Sequence, residues 1–209
     1  MHVRPSDLPF NEFYRILLSS VAPRPIAWVS TISASGQLNL APFSFFNAIC
    51  AKPPLLAFAT ALRMRGKGAD LRGETKDTLR NVRETGEFVV NVVTYDVAEA
   101  MNLSSGEYDS TVDEFALTRL TPRPSKIVKP PQVAESGVNF ECKVYQILDF
   151  SSPPQGGSLI IGEILSIHVD EKHTKDGRID GNSLDLVGRM GGIQYSRTTE
   201  RFEMARPKV

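Results

Sequence analysis

The alternation of apolar and polar positions is clearest between residues 26 and 60, and it predicts a series of short strands. From Ile26 to Ser33 the side chains alternate. Ile26, Trp28 and Ser30 share one face, and Ala27, Val29 and Thr31 the other. Ser35-Gly36 signals a turn, and Gln37 to Ala41 reads as the returning strand. Pro42 has no N–H to give a ladder, so regular pairing is expected to stop there. Phe43 to Ile49 resumes as an extended piece, and Pro53-Pro54 breaks the chain sharply. Leu55 to Thr60 is almost wholly apolar, which fits a strand buried on both faces. Phe88 to Val93, Val138 to Phe150 and Ser158 to Val169 continue the β pattern, the last being the longest predicted strand. Pro153-Pro154-Gln155-Gly156-Gly157 reads as a hairpin loop.

Helical spacing appears in three places. Asn11 to Ser20 carries Phe13, Ile16 and Leu17 on one side, with Asn11 as a candidate cap and Pro23 and Pro25 beyond its end. Lys76 to Glu84 carries Leu79 and Val82, with Thr75 or Asp77 as cap and Gly86 just past the end. Val97 to Leu103 is a further short helix. Residues 1–9 read as a polar N-terminal arm. Residues 62–74 hold Arg63, Arg65, Lys67 and Arg72 among glycines and read as a mobile basic loop. Residues 104–136 are loop-rich, and 188–195 form a glycine-rich loop. The sum is one domain over residues 1–209, mainly β, with an antiparallel barrel and a few short peripheral helices. Strands do not alternate with long helices, and no Gly-x-Gly-x-x-Gly follows a strand, so a dinucleotide-binding parallel sheet is not expected.

Composition removes several classes. Lys plus Arg and Asp plus Glu each number 24, so bulk charge argues against nucleic-acid or membrane-surface binding. The N-terminus lacks the apolar stretch of a secretory leader, and no run approaches a membrane span, which together predict a cytoplasmic protein. The two cysteines, Cys50 and Cys142, are expected to be reduced and buried. The three histidines and two cysteines do not converge in sequence, so no metal site is expected. No Gly-x-Ser-x-Gly elbow is present, and no catalytic side chain stands out. His168 reads as a solvated or satisfied strand residue rather than a base.

Two stretches carry candidate chemistry. The start of the second helix, Glu74-Thr75-Lys76-Asp77-Thr78, combines free N–H groups, an ammonium and hydroxyls, which suits one phosphate. The same residues also describe an ordinary capped surface helix. The hairpin from Pro23 to Asn47 mixes aromatic residues with Ser30, Thr31, Ser44 and Asn47. It reads either as core or as the wall of a flat, polar-edged ligand.

Six motifs in order sharpen these alternatives. They are Pro-Arg-Pro-Ile-Ala-Trp-Val-Ser-Thr (23–31), Asn-Leu-Ala-Pro-Phe-Ser-Phe-Phe-Asn (39–47), Lys-Asp-Thr-Leu-Arg-Asn (76–81), Gly-Glu-Phe-Val-Val-Asn (86–91), Phe-Glu-Cys-Lys (140–143) and Gly-Arg-Met-Gly-Gly-Ile-Gln-Tyr (188–195). Together the chain resembles the flavin reductase-like, FMN-binding split-barrel family, and its flavoredoxin-like branch in particular. The resemblance implies a split β-barrel of Greek-key type, non-covalent FMN, and a homodimer with flavin near the interface. It implies that Trp28, Val29, Ser30 and Thr31, with Ser44, Phe45, Phe46 and Asn47, line the flavin and its ribityl chain. Lys76, Asp77 and Thr78 would meet the phosphate, and Arg189 and Arg24 would approach the cofactor. NADH or NADPH is then the expected reductant, in an NAD(P)H-dependent flavin reductase. The alternatives are an electron carrier working with a redox partner protein and a non-catalytic flavin-binding protein. The basic loop at 62–74 is longer than the family leads one to expect; it would add phosphate contacts, cover the flavin, bind the phosphate of a nicotinamide cofactor, or be a disordered surface loop.

Overall fold

The computed structural model describes residues 2–63, 74–150 and 156–208. Helix α1 (Phe10–Ser20) precedes strands β1 (Ala27–Ile32), β2 (Leu38–Phe43), β3 (Phe46–Ala51) and β4 (Pro54–Ala61). Helix α2 (Asp77–Thr85), strand β5 (Glu87–Val92) and helices α3 (Ala98–Leu103) and α4 (Glu114–Thr118) follow. Then come β6 (Pro122–Arg123), β7 (Gln132–Val133), β8 (Val138–Asp149), β9 (Gly157–Val169), β10 (Thr174–Lys175), β11 (Arg178–Ile179), β12 (Val187–Arg189) and β13 (Tyr195–Arg197).

Seven strands form one antiparallel sheet in the order β2-β1-β5-β8-β9-β4-β3. The two end strands are consecutive in the chain, joined by Ser44 and Phe45 alone. That link carries the chain from one edge to the other and curls the sheet into a barrel. β1 shows the expected two faces. Ala27 and Val29 join the interior cluster with Phe43, Phe58, Phe88 and Ile160. Ile26 and Trp28 join a second cluster with Leu40, Met101, Phe115 and Val187. Leu79 and Val82 of α2 plug the first cluster, and Gly86 closes that helix at φ 71°, a left-handed conformation that glycine takes without a Cβ clash.

Three expectations need correction. Pro42 does not end pairing: it sits within β2 opposite Trp28. β2 is an edge strand, so the missing N–H costs no second ladder. Cys50 is exposed, whereas Cys142 is buried with its thiol pKa pushed up by burial. β3 pairs with β4 alone, with a register shift between Ala48 and Cys50, and leaves Ala48, Ile49 and Cys50 at the surface. The start of α2 has Lys76 at the cap position with no side-chain cap bond, so neither Thr75 nor Asp77 caps it. Of the basic loop, residues 64–73 lie outside the described residues, but its base is closed by Arg63 N–H donating to Glu74 O at 2.9 Å. Residues 151–155 of the predicted hairpin loop also lie outside them, although Phe150 N–H donates to Gly157 O at 2.9 Å.

The stretch 104–136 is more ordered than its composition indicates. Asp113 caps α4 by accepting from Phe115 N at 2.9 Å and Ala116 N at 3.3 Å. Phe115 buries its ring in the second cluster, and Glu114 then points toward β2. Losing the cap in Asp113→Ala is expected to cost about 1 kcal/mol, measured by urea unfolding. Farther along, the Glu141 carboxylate accepts from Lys126 N, Ile127 N, Val128 N and Gln132 Nε2, at 2.6–3.2 Å. One buried side chain thereby folds the 126–132 segment onto β8.

Candidate functional site

Two adjoining clefts meet at Pro42 and Ser105. The first runs between β2, the start of α2 and the segment after α3. Its walls include Asn39, Phe43, Arg63, Lys76, Asp77, Thr78, Tyr108 and Glu114. The second is walled by Tyr14, Leu18, Ile26, Met101 and Tyr195, with Arg24, Ser44 and Arg189 among its polar groups.

Charge in the first cleft is only partly balanced. Asp77 holds two arginines, Arg63 and, at 2.5 Å, Arg80. Arg63 is 6 % exposed and also donates to Tyr108 O at 3.0 Å, which fixes it in the wall. Lys76 makes no ion pair among the described residues; its Nζ lies 5.9 Å from the Phe43 ring centroid. Burial lowers the Lys76 pKa; Glu107 raises it and Arg63 lowers it by smaller amounts. Thr78 faces the same cleft but accepts from Asn39 Nδ2 at 2.9 Å, so its hydroxyl also belongs to the wall's own network. Glu114 is 7 % exposed, and its Oε2 accepts from Leu40 N at 3.0 Å. Burial first, with the nearby Asp77 and Asp113 charges adding, raises its pKa to about 7 against the opposing hydrogen bonds.

In the second cleft Arg24 is 5 % exposed. Its guanidinium donates to Leu18 O at 2.6 Å, to Val21 O, and to Met190 O at 2.9 Å. It therefore ties the end of α1 to the glycine-rich loop, and its backbone pairs with Arg189 in both directions. Its Nε–H has no acceptor among the described residues. Arg189 lies over the Tyr195 ring at 4.5 Å. Burial, with Arg189 close by, lowers the Arg24 pKa.

The structure thus brings Lys76, Asp77 and Thr78 to one end of a groove and Arg24, Ser44 and Arg189 to the other. The remaining expected residues do not line it. Trp28, Val29, Ser30 and Thr31 are all 0 % exposed. Trp28 Nε1–H donates to Ser104 Oγ at 2.9 Å, Val29 packs in the interior, Ser30 bonds Pro131 O, and Thr31 accepts from Asn39 and Asn81. Trp28 and Thr31 lie behind the cleft, where they hold Ser104 and Asn39 in its wall. Phe46 packs against the interior cluster, while Phe45 and Asn47 are exposed on the other side of the chain crossing. The sequence missed Asn39, Tyr108 and Glu114, because their cleft forms only when α2, α4 and β2 pack together.

Residues 18–184 match the sequence pattern of the Flavin reductase like domain. The chain belongs to that family. Two solved structures are closely similar to this flavin reductase-like protein. Component B of nitrilotriacetate monooxygenase from Bacillus cereus is 31% identical, with a TM-score of 0.89 over 98% of each chain. The 2-nitrobenzoate 2-nitroreductase NbaA of Pseudomonas fluorescens is 32% identical, with a TM-score of 0.87 over 99% of this chain and 96% of that one. A Shewanella frigidimarina protein described as a flavin reductase with split barrel domain shares the fold at 24% identity, with a TM-score of 0.78 over 100% and 99%. The expected split barrel is therefore the fold, and the protein is a flavin-related oxidoreductase. No helix among the described residues is long and apolar enough to cross a membrane.

Proposed function

We propose that this flavin reductase-like protein binds FMN non-covalently along the two clefts and uses NADH or NADPH as reductant. One observation carries the reading: an ammonium with no ion pair among the described residues lines one of two adjoining clefts, and a buried arginine N–H with no acceptor among them lines the other. An elongated ligand with an anionic end and a flat ring bearing carbonyl oxygens fits that donor set. Lys76 and the free N–H groups at the start of α2 would hold the phosphate. Asp77 keeps Arg63 and Arg80 in place beside it. Pro42 and Ser44 would sit against the ring, with Arg24 and Arg189 toward its polar edge. A flavin held there would supply the redox chemistry, as the hydride acceptor for a nicotinamide. The protein's tasks are to orient the ring, exclude water from one face and offer donors to the charge that reduction brings. No acid–base pair is required of it. The exposed apolar side chains Phe45 and Ile49 near β3, with Tyr145, Leu148 and Phe150 at the end of β8, support a homodimer.

The test is anaerobic mixing of the FMN-loaded protein with NADH and, separately, NADPH. Loss of the oxidised flavin absorbance with at least one is expected. A flavin that binds but stays oxidised with both would overturn the reductase reading in favour of an electron carrier served by a partner protein.

A further inference from the structure

Glu114 is a carboxylate set into the wall of a cleft proposed above to hold a phosphate. One oxygen is fixed by the Leu40 N–H at 3.0 Å, and no cation lies within ion-pair distance among the described residues. Arg63, in the wall of the same cleft, is committed to Asp77 and to Tyr108 O. The other groups facing it are Asp77 from α2, Asp113 on its own helix, and Lys76, Arg63 and Glu107 across the cleft. Within that set an arriving dianion would add negative charge to a cleft already walled by a buried carboxylate that has no ion-pair partner among the described residues. Two anions in one low-dielectric cleft repel strongly, and the cheapest relief is to protonate the weaker acid.

We propose that Glu114 is a positioning residue that couples phosphate binding to proton uptake: the cleft takes a phosphate monoester dianion together with one proton, which passes from solvent to the Glu114 carboxyl. Neutral Glu114 keeps its acceptor bond from Leu40 N and becomes a donor toward the cleft. The carboxyl already titrates near neutrality in the empty cleft, at about 7, so the switch lies within reach of ordinary pH. The residue thereby selects the charge of the ligand. A neutral flavin without phosphate gains nothing from the proton.

The inference rests on the phosphate reading of this cleft, and one experiment separates the two. FMN and riboflavin are titrated into the apoprotein by calorimetry at pH 8, in two buffers of different ionisation enthalpy. At that pH the FMN phosphate is itself almost wholly dianionic, so any proton taken up belongs to the protein. Expected for FMN is a net uptake of a substantial fraction of one proton, with none for riboflavin. FMN affinity should fall as pH rises from 7.5 to 8.5, with a slope of at most about tenfold per pH unit. Glu114→Gln, which retains an acceptor for Leu40 N, should bind FMN without uptake and with a flat pH profile. FMN binding without proton uptake in the wild type, or unchanged uptake in Glu114→Gln, would overturn the coupling. Failure of FMN to bind at all, or equal affinity for riboflavin, would overturn the phosphate reading and the coupling with it. The wild-type buffer comparison stands whether or not the variant folds.

Discussion

Replacing Lys76 with Met is expected to weaken FMN binding by about tenfold to a hundredfold while leaving riboflavin binding nearly unchanged. A charge-assisted contact is worth roughly 1.5–3 kcal/mol, which sets that range. Lys76 suits the experiment because its ammonium makes no ion pair among the described residues, so its removal strands no partner. Methionine keeps most of the stem that passes near Phe43. Thr78 is a poorer probe, since its hydroxyl holds Asn39 and a change there would disturb the wall itself. Asp77 is poorer still, because it fixes two arginines. The measurement is quenching of flavin fluorescence with both ligands. Equal weakening of both would place the phosphate elsewhere.

The largest effect on stability is expected at Glu141. Glu141→Leu should destabilise the fold by about 3–5 kcal/mol, because it leaves several donors without an acceptor at a position that is 1 % exposed. Glu141→Gln should lose less, since one amide oxygen can keep part of the set. The same group gives a pH signature. Burial alone would raise its pKa, but the three backbone N–H groups and Gln132 outweigh burial and hold it below the ordinary glutamate value. A depressed folded pKa means the unfolded chain takes up the proton first as pH falls. Its contribution is therefore full above about pH 4.3, the unfolded value, and is lost as pH falls toward the lower folded value. Urea unfolding at pH 7 and pH 4 of wild type and Glu141→Leu would show the difference between them shrinking at the lower pH.

What the sequence made legible is what short-range pattern determines. The two faces of β1, the Leu79–Val82 stripe of α2 and the glycine stop after it all follow from local periodicity and backbone sterics. Helix α4 escaped because five residues make too short a pattern, and its existence depends on the Asp113 cap and on Phe115 finding the second cluster. Pro42 and Cys50 were misjudged because whether a strand lies at an edge is a property of the whole sheet. The same holds for the site. Ser30 and Thr31 look like ligand-binding hydroxyls in sequence, yet their partners are Pro131, Asn39 and Asn81, brought in by tertiary packing. Lys76 was legible because a helix start with a lysine and hydroxyls is a local signal. Glu114 carried no such signal, since its place in the cleft comes from tertiary packing that brings the Leu40 N–H of β2 to its carboxylate.

Titration of the wild-type apoprotein with FMN and with riboflavin, followed by flavin absorbance and fluorescence, tests the proposed groove most directly. Expected is a perturbed visible spectrum with both, and FMN binding at least about tenfold tighter, as one charge-assisted phosphate contact requires. Equal affinities, or no spectral change with either ligand, would contradict it.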